Sequence, residues 1–176
     1  MALRPGRTLR ELKRPYTRES KKKPRKSYVT GVPHSRIHVF EMGNKKKDDF
    51  EVKVFLVSQD KVQIRSNALE SARIVSSRYV EKNIGIENYK MKVLVYPHHV
   101  LREHSIAMGA GADRFSQGMR KAFGRPSGKA ALVDKGQNIF AVYVDNNPQH
   151  INIAKDALKR ADSKIRCRTR IKIETN

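Results

Sequence analysis

The sequence lacks several residues on which particular sites and structures depend. It contains no tryptophan and one cysteine, Cys167, which excludes an internal disulfide and a zinc site made of several thiolates. A single cysteine also agrees with a reducing, intracellular location. No apolar run approaches the roughly 18 residues that a membrane-spanning helix requires, and no apolar signal segment follows Met1. We therefore expect no membrane partner.

Negative charge is scarce as well. The chain has 176 residues, with 38 Lys and Arg but only 17 Asp and Glu, which gives a formal net charge of +21. A compact domain with this charge repels itself, and a polyanionic partner relieves the repulsion. Nucleic acid is the favoured partner, because each phosphate that is neutralised releases condensed counterions. On grounds of charge alone an anionic membrane surface would be the rival partner, but the lack of a spanning or signal segment counts against it.

Residue patterns for catalysis and for tightly bound cofactors are missing from the sequence. The segment from Gly124 to Ala130 is similar to a phosphate-binding loop, but it is one residue short between its glycines and has Ala130 where Ser or Thr would hold magnesium. His98, His99 and His104 have no fourth metal ligand at an interpretable spacing. Acid pairs for general acid–base catalysis are also missing. We predict a protein that is not an enzyme and has neither a metal nor a cofactor.

The N-terminal segment is strongly basic. Residues 1–26 contain eleven Lys or Arg and two Glu, with few large apolar residues, so little apolar surface is available to offset the entropy of ordering. We predict an extended basic arm over residues 1–30 and a single globular domain over residues 31–176. A solvated tail without a role is the alternative, but the charge favours RNA contacts. The arm residues assigned to RNA are Arg4, Arg7, Arg10, Lys21, Lys22, Lys23, Arg25 and Lys26.

Hydrophobic periodicity in the rest of the chain predicts strands and helices in irregular alternation. Period-two patterns mark strands near residues 37–39, 52–56, 62–64, 89–95, 130–133, 139–144 and 165–173. The turn at Gln59 and Asp60 predicts that the third of these strands is the hairpin partner of the second. The expected class is α+β, with a mainly antiparallel sheet flanked by two longer helices and one short helix.

Helical spacing predicts the longer helices over residues 67–83 and 148–162. Ser66 or Asn67 is expected to cap the first, with Glu70 completing a capping box after Asn67, and Gly85 is expected to end it. Asn147 before Pro148 is expected to cap the second.

A shorter helix, capped by Asp113, is predicted to carry Phe115, Met119 and Phe123 and to end at Gly124.

The strand over residues 165–173 has the clearest alternation in the chain. One face carries Ile165, Cys167, Thr169, Ile171 and Ile173, and the other carries Arg166, Arg168, Arg170 and Lys172. Same-face residues repeat about every 6.6–6.8 Å, near the spacing of successive RNA phosphates. A charged solvent face that blocks edge-to-edge aggregation is the alternative. At a net charge of +21 we favour RNA binding by Arg166, Arg168 and Arg170.

Residues 98–129 combine glycines and other small residues with six Lys or Arg and two acidic residues. Such a segment supplies little core, but it brings flexible backbone and positive charge close to a polyanion. The candidate RNA-binding residues are Arg114, Arg120, Lys121, Arg125 and Lys129 within it and Arg36 outside it. Motifs that read single-stranded RNA or DNA sequence are missing, which favours a large folded RNA that is read by shape. A free nucleic-acid-coating or RNA-chaperone protein is the alternative.

Four blocks of sequence resemble one family of ribosomal proteins. They are GVPHSR at residues 31–36 with the IHVFEMGNKK that follows, ALESAR at 68–73, VLVYPHHV at 93–100, and AGADRFSQGMRKAFGRP at 110–126. Over nearly its whole length the chain resembles the universal large-subunit family whose archaeal and eukaryotic members are called ten-e and whose bacterial member is number sixteen. The lysine-rich, cysteine-poor sequence is more similar to archaeal members. A second difference from eukaryotic members is that they continue into a further C-terminal extension.

The resemblance implies an α/β hammerhead-type fold and a structural role in the large ribosomal subunit, in the cytoplasm. It also implies binding to large-subunit rRNA near the aminoacyl-tRNA corridor. A flexible loop over residues 98–112 is expected to point toward the peptidyl-transferase centre and the tRNA acceptor ends. Aligning the blocks assigns to this loop His99, Arg102, His104, Met108, Gly109 and Gly111. Expected partners are rRNA, transiently the tRNA acceptor end, neighbouring ribosomal proteins and assembly factors, with no homo-oligomer.

Overall fold

The computed structural model describes residues 29–47, 49–104, 109–116 and 118–175, and these form two antiparallel sheets and two α-helices. In chain order the elements are β1 (Glu41–Gly43), β2 (Val52–Ser58), β3 (Val62–Arg65), α1 (Ser66–Ile84), β4 (Tyr89–Val93), β5 (His99–Glu103), β6 (Arg125–Val133), β7 (Asn138–Val144), α2 (Pro148–Asp162) and β8 (Thr169–Thr175). None of the described helices is long and apolar enough to cross a membrane. Residues 1–28 of the predicted arm lie outside the described residues. Val29, the first described residue, is buried.

The larger sheet has the strand order β1-β4-β7-β2-β8, and each of its pairings is antiparallel. β2 and β7 lie at its centre, where Val54 is opposite Val142. Both side chains are fully buried, together with Leu69 of α1 and Leu158 of α2, in one hydrophobic core. The alternation of β2 therefore turns one face of this sheet toward the two helices, as an α+β fold requires.

β3 is not the hairpin partner of β2, so that prediction is wrong. Both edges of β2 are already occupied, by β7 on one side and by β8 on the other. At the end of β2, the Ser58 N–H donates to the Gln137 carbonyl and the Gln59 N–H to the Arg168 carbonyl, each at 2.9 Å. β3 instead pairs with β6 in a second sheet of order β3-β6-β5. The single expected sheet is thus divided into two.

The helix α2 begins as the sequence predicts. Asn147 precedes it in an extended conformation, and its Oδ1 accepts a hydrogen bond from the Gln149 N–H at 3.0 Å. Pro148 is the first helical residue, where its missing N–H leaves no intrahelical bond unmade. The predicted N-terminal cap is confirmed.

The helix α1 has the predicted end but a different beginning. Gly85 follows it at φ +85°, and its N–H donates to the Glu81 carbonyl at 3.0 Å. The helix begins at Ser66 without a side-chain cap. Glu70 accepts two hydrogen bonds from the guanidinium of Arg73 instead, which raises the pKa of that arginine. The predicted capping box is therefore wrong, because a charged neighbour one turn away binds the glutamate.

Residues 94–98 carry the chain from the larger sheet to the smaller one. Their side chains alternate, with Leu94, Tyr96 and His98 exposed and the two residues between them buried. The Tyr96 ring stacks on Phe40 with centroids 5.2 Å apart, and it contacts the His98 ring at 4.4 Å. These ring contacts fix the crossing segment against β1 and set the direction in which the chain enters β5.

Candidate nucleic-acid interface

The first part of the predicted flexible loop is a strand. β5 covers His99–Glu103 and pairs with β6, so the loop predicted over residues 98–112 is shorter than expected. β6 begins at Arg125, so the segment that is similar to a phosphate-binding loop, Gly124 to Ala130, is strand from its second residue onward. Pro126 lies opposite Arg102 where the register shifts, a position at which a strand tolerates proline. The extended backbone of this segment gives no loop that could wrap around a nucleotide phosphate.

Residues 109–116 and 118–124, which we call the tip, do not form the predicted α-helix. Only Ala112–Arg114 makes a short 3-10 helix, and turns follow it. Gly118 and Lys121 have φ values of +57° and +56°, which an α-helix does not contain. The prediction is wrong because the left-handed residues interrupt the helical repeat. The apolar side chains that it was predicted to carry, Phe115, Met119 and Phe123, are exposed.

Two side chains of the predicted loop hold the tip in place. The Arg102 Nε–H donates to the Phe123 carbonyl at 3.2 Å, and another of its N–H groups donates to the Gly124 carbonyl at 2.5 Å. Its guanidinium also lies 3.8 Å from the centre of the Phe123 ring. His104 Nε2 is 2.8 Å from the Gly118 carbonyl. In the described part of the chain, Arg102 and His104 therefore support the tip.

Gly124 joins the tip to β6 at a point of close backbone contact. Its φ is +71°, and a Cβ at this position would overlap the carbonyl group of Glu103. Only glycine meets both conditions without strain. The end of β5 and the end of the tip are thus in direct contact.

His99 differs from the other predicted loop residues because its side chain is buried, with 9% of the residue exposed. Burial lowers the pKa of its imidazole, since a charged ring would lose its hydration. His99 and Arg65 both lie opposite Ala130, on either side of the central strand of the smaller sheet. This position belongs to the packing of the sheet rather than to a surface that a ligand reaches.

The cations of the tip form an exposed group. Arg114, Arg120, Lys121 and Arg125 are all exposed, whereas Lys129 is half-buried. None of the first four forms an ion pair with an acidic residue in the described part of the chain. Their charge is therefore available to an external anion. The glycines Gly109 and Gly111 open the tip with φ values of +133° and +75°.

The second group of predicted cations lies at the edge of the larger sheet. Arg166, Arg168 and Arg170 are exposed, while Ile165, Cys167 and Thr169 between them are buried or half-buried, which confirms the alternation in this part of the segment. Ile173 was predicted to share the packed face but is 40% exposed, so the alternation does not extend to it. The strand itself covers Thr169–Thr175, so it begins later than predicted. The three arginines have no ion pair among the described residues, whereas Lys172 binds Glu174 at 2.6 Å. Burial raises the pKa of Cys167 to about 11, which makes its thiol a poor nucleophile.

The remaining candidate residues are scattered. Arg36 is exposed beside the buried Ile37. Met108 lies outside the described residues, as do the arm residues Arg4, Arg7, Arg10, Lys21, Lys22, Lys23, Arg25 and Lys26. The structure thus brings the tip cations together, and it places the three arginines of the C-terminal segment on the other sheet. Over the described ranges, no three His, Cys, Asp or Glu side chains cluster in a way that could hold a metal ion.

Three apolar residues of the tip were missed as candidate surface residues. Phe115 is 81% exposed, Met119 71% and Phe123 48%. Helical spacing placed them on the predicted short helix, and only Gly118 in the middle of that run argued against a helix.

Comparison with known proteins agrees with the resemblance seen in the sequence. A family model described as ribosomal protein L16p/L10e matches residues 14–172. The large ribosomal subunit protein uL16 of Archaeoglobus fulgidus is 50% identical over 174 residues, which cover 99% of this chain and 94% of that protein. The protein of the same name from Methanococcus aeolicus is 45% identical over 174 residues, covering 98% of this chain and 95% of the relative. The chain belongs to the ribosomal protein L16p/L10e family, whose members are structural ribosomal proteins and not enzymes.

Proposed function

We propose that the chain binds large-subunit ribosomal RNA near the aminoacyl-tRNA corridor and directs the segment before the tip toward the peptidyl-transferase centre and the tRNA acceptor ends. The observation that carries the RNA-binding part is the set of exposed cations without acidic partners. They are Arg114, Arg120, Lys121 and Arg125 on the tip and Arg166, Arg168 and Arg170 beside the larger sheet. An external polyanion supplies the counter-charge that the fold does not.

The cations lie in two groups, one on the tip next to the smaller sheet and one at the edge of the larger sheet, and this division favours a folded RNA over a regular duplex. Each group can neutralise phosphates of a different RNA segment, and the two sheets share one hydrophobic core that connects the groups. Recognition by shape requires such a fixed arrangement of positive charge, because phosphate contacts carry no sequence information.

The proposed tRNA-directed segment is residues 105–108, which lie between His104 and the tip in the sequence. Arg102 and His104 bind the Phe123, Gly124 and Gly118 carbonyls, so the residues just before the segment are held against the tip that follows it. We further propose that the basic arm binds rRNA through the eight arm cations assigned above, and that neighbouring ribosomal proteins and assembly factors contact the remaining surface.

The salt dependence of binding to a large-subunit rRNA fragment tests the electrostatic mechanism. Replacing Arg166, Arg168 and Arg170 together by Ala should lower the log–log salt slope by roughly 2–3, at about 0.7–0.9 for each lost phosphate contact. Lys172→Ala is the matched control, because Glu174 already pairs with that ammonium group at 2.6 Å. An unchanged slope in the triple variant would contradict the assignment of these arginines.

Sedimentation through sucrose gradients at increasing salt tests the proposed place in the large subunit. One copy should travel with each large subunit. A protein that sediments without stoichiometry and binds duplex DNA and RNA equally would be a free nucleic-acid-coating protein instead. Deleting residues 105–108 tests the loop, since RNA docking should persist while tRNA-dependent steps are impaired.

A further inference from the structure

The exposed apolar side chains of the tip form a surface whose role the electrostatic mechanism does not explain. Phe115 is 81% exposed and Met119 71%, which makes them the two most exposed large hydrophobic residues in the described part of the chain. Phe123, in the same tip, is 48% exposed. Single exposed apolar residues are ordinary, but three within nine residues of one short segment mark an interaction site.

The backbone that carries these side chains is held in place. Arg102 binds the carbonyls of Phe123 and Gly124, and His104 Nε2 lies 2.8 Å from the Gly118 carbonyl. The Arg102 guanidinium also covers part of the Phe123 ring at 3.8 Å from its centre, yet half of that residue stays exposed. The fold therefore supports the Phe123 ring and the backbone of the tip from behind, which reduces the entropy lost when a partner binds there.

The charges around the three side chains select the kind of partner. Arg114, Arg120, Lys121 and Arg125 are interspersed with them and have no acidic partner among the described residues. An apolar protein groove would bury these cations without compensation. Duplex RNA offers phosphates but hides the faces of its bases. Unpaired RNA offers phosphates and base faces together, and aromatic rings in a cationic setting are the usual means of binding it.

We propose that Phe115 and Phe123, with Met119 beside them, form a stacking site for unpaired nucleobases of RNA. The rings stack on one or two bases that leave the helical stack, while the four surrounding cations neutralise the adjacent phosphates. This site rests on the proposed function, since it requires that the tip meets RNA. It adds a recognition of RNA local structure that phosphate contacts alone do not provide.

The test measures binding of the full chain to a single-stranded RNA that contains 2-aminopurine and to a duplex of the same composition, over a range of salt. Phe115→Ala should weaken single-strand binding roughly 5- to 150-fold, the usual range for one lost aromatic–base stack. The salt slope and the duplex affinity should stay unchanged. Phe115→Trp should restore binding, whereas Phe115→Leu, which keeps apolar surface but no ring, should not. Leu132→Ala removes an apolar side chain that is 47% exposed outside the tip, and it serves as the control.

Quenching of 2-aminopurine fluorescence by the wild type, and its loss in Phe115→Ala, would give direct support. An unchanged single-strand affinity in Phe115→Ala, or equal losses of affinity on single strand and duplex, would overturn the stacking site. Salt-dependent RNA binding by the wild type would still support the proposed function in that case. Absence of salt-dependent RNA binding by the wild type would overturn both. Full activity of Phe115→Leu would show that apolar contact, not stacking, is what the tip provides.

Discussion

The guanidinium of Arg102 lies 3.8 Å from the centre of the Phe123 ring, and its N–H groups donate to the carbonyls of Phe123 and Gly124. One side chain at the end of β5 thus fixes both the ring and the backbone of the segment that returns to β6. The pair connects a residue predicted to lie in the tRNA-proximal loop with one predicted to lie on the short helix.

Replacing Arg102 should loosen the tip while leaving the rest of the fold intact. Arg102→Ala removes two hydrogen bonds and a cation–π contact. These contacts hold only the tip, so the free energy of global unfolding should change by less than about 1 kcal/mol. Hydrogen exchange of the amides at residues 118–124 should become faster. Arg125→Ala removes a neighbouring cation that makes no such bonds and should leave exchange unchanged. Equal exchange in the two variants would show that Arg102 does not hold the tip.

Gly124→Ala should destabilise the protein more than Gly136→Ala, although both glycines have a left-handed backbone conformation. Gly124 has a φ of +71°, and its new Cβ would overlap the Glu103 carbonyl, whereas Gly136 has a φ of +82° with open space around it. Gly136→Ala should cost about 1–2 kcal/mol of unfolding free energy for the left-handed conformation alone. Gly124→Ala should cost more, because β5 must also move. Urea denaturation of both variants decides, and equal losses would contradict the close contact.

A pair of alanine substitutions compares a helix cap that forms with a predicted one that does not. They are Asn147→Ala and Asn67→Ala. Asn147 accepts a hydrogen bond from the Gln149 N–H at 3.0 Å, so its replacement should lower the unfolding free energy by about 1 kcal/mol. Asn67 makes no side-chain cap at the start of α1, and its replacement should change stability by less than about 0.5 kcal/mol. Thermal unfolding of the two variants provides the comparison. A larger loss for Asn67→Ala would show that α1 is capped in solution.

Local signals in the sequence predicted local structure well. Asn147 before Pro148, Gly85 after the last turn of α1, and the alternation from Ile165 to Arg170 each depend on residues within a few positions, and each is confirmed. The pairing of β3 could not be predicted in this way. It depends on β7 and β8, far away in sequence, occupying both edges of β2.

The sequence predicted the charge of the candidate site but not its backbone conformation. The exposed cations of the tip and of the C-terminal segment follow from composition, because charge has to lie at the surface. The burial of His99 depends instead on pairing between β5 and β6, which a glycine-rich sequence did not indicate. The exposure of Phe115 and Met119 depends on two left-handed residues, Gly118 and Lys121, and a lysine gives no warning of that conformation.

The thiol of Cys167 should react slowly in the folded protein. Burial raises its pKa to about 11 from an ordinary value of 9.0, which lowers the thiolate fraction at pH 8 by about a hundredfold. Alkylation by iodoacetamide at pH 8 should be slower by a similar factor than in the protein unfolded in urea, because the thiolate is the nucleophile. Equal rates in the two states would show that the side chain is exposed and ordinary.

His99 should make the stability of the protein fall as the pH falls below about 6.5. Burial lowers its pKa from the ordinary value of 6.5, so in the interval below that value the unfolded chain binds a proton that the folded chain does not. The unfolding free energy should decrease there by up to about 1.4 kcal/mol per pH unit, and this contribution should be constant above the interval. His99→Gln should flatten the pH dependence between pH 5 and 7 in urea denaturation at constant salt, whatever its effect on stability at pH 8. His98→Gln, which changes the exposed neighbour, should keep the wild-type slope. If both variants keep that slope, the acid sensitivity arises elsewhere in the fold.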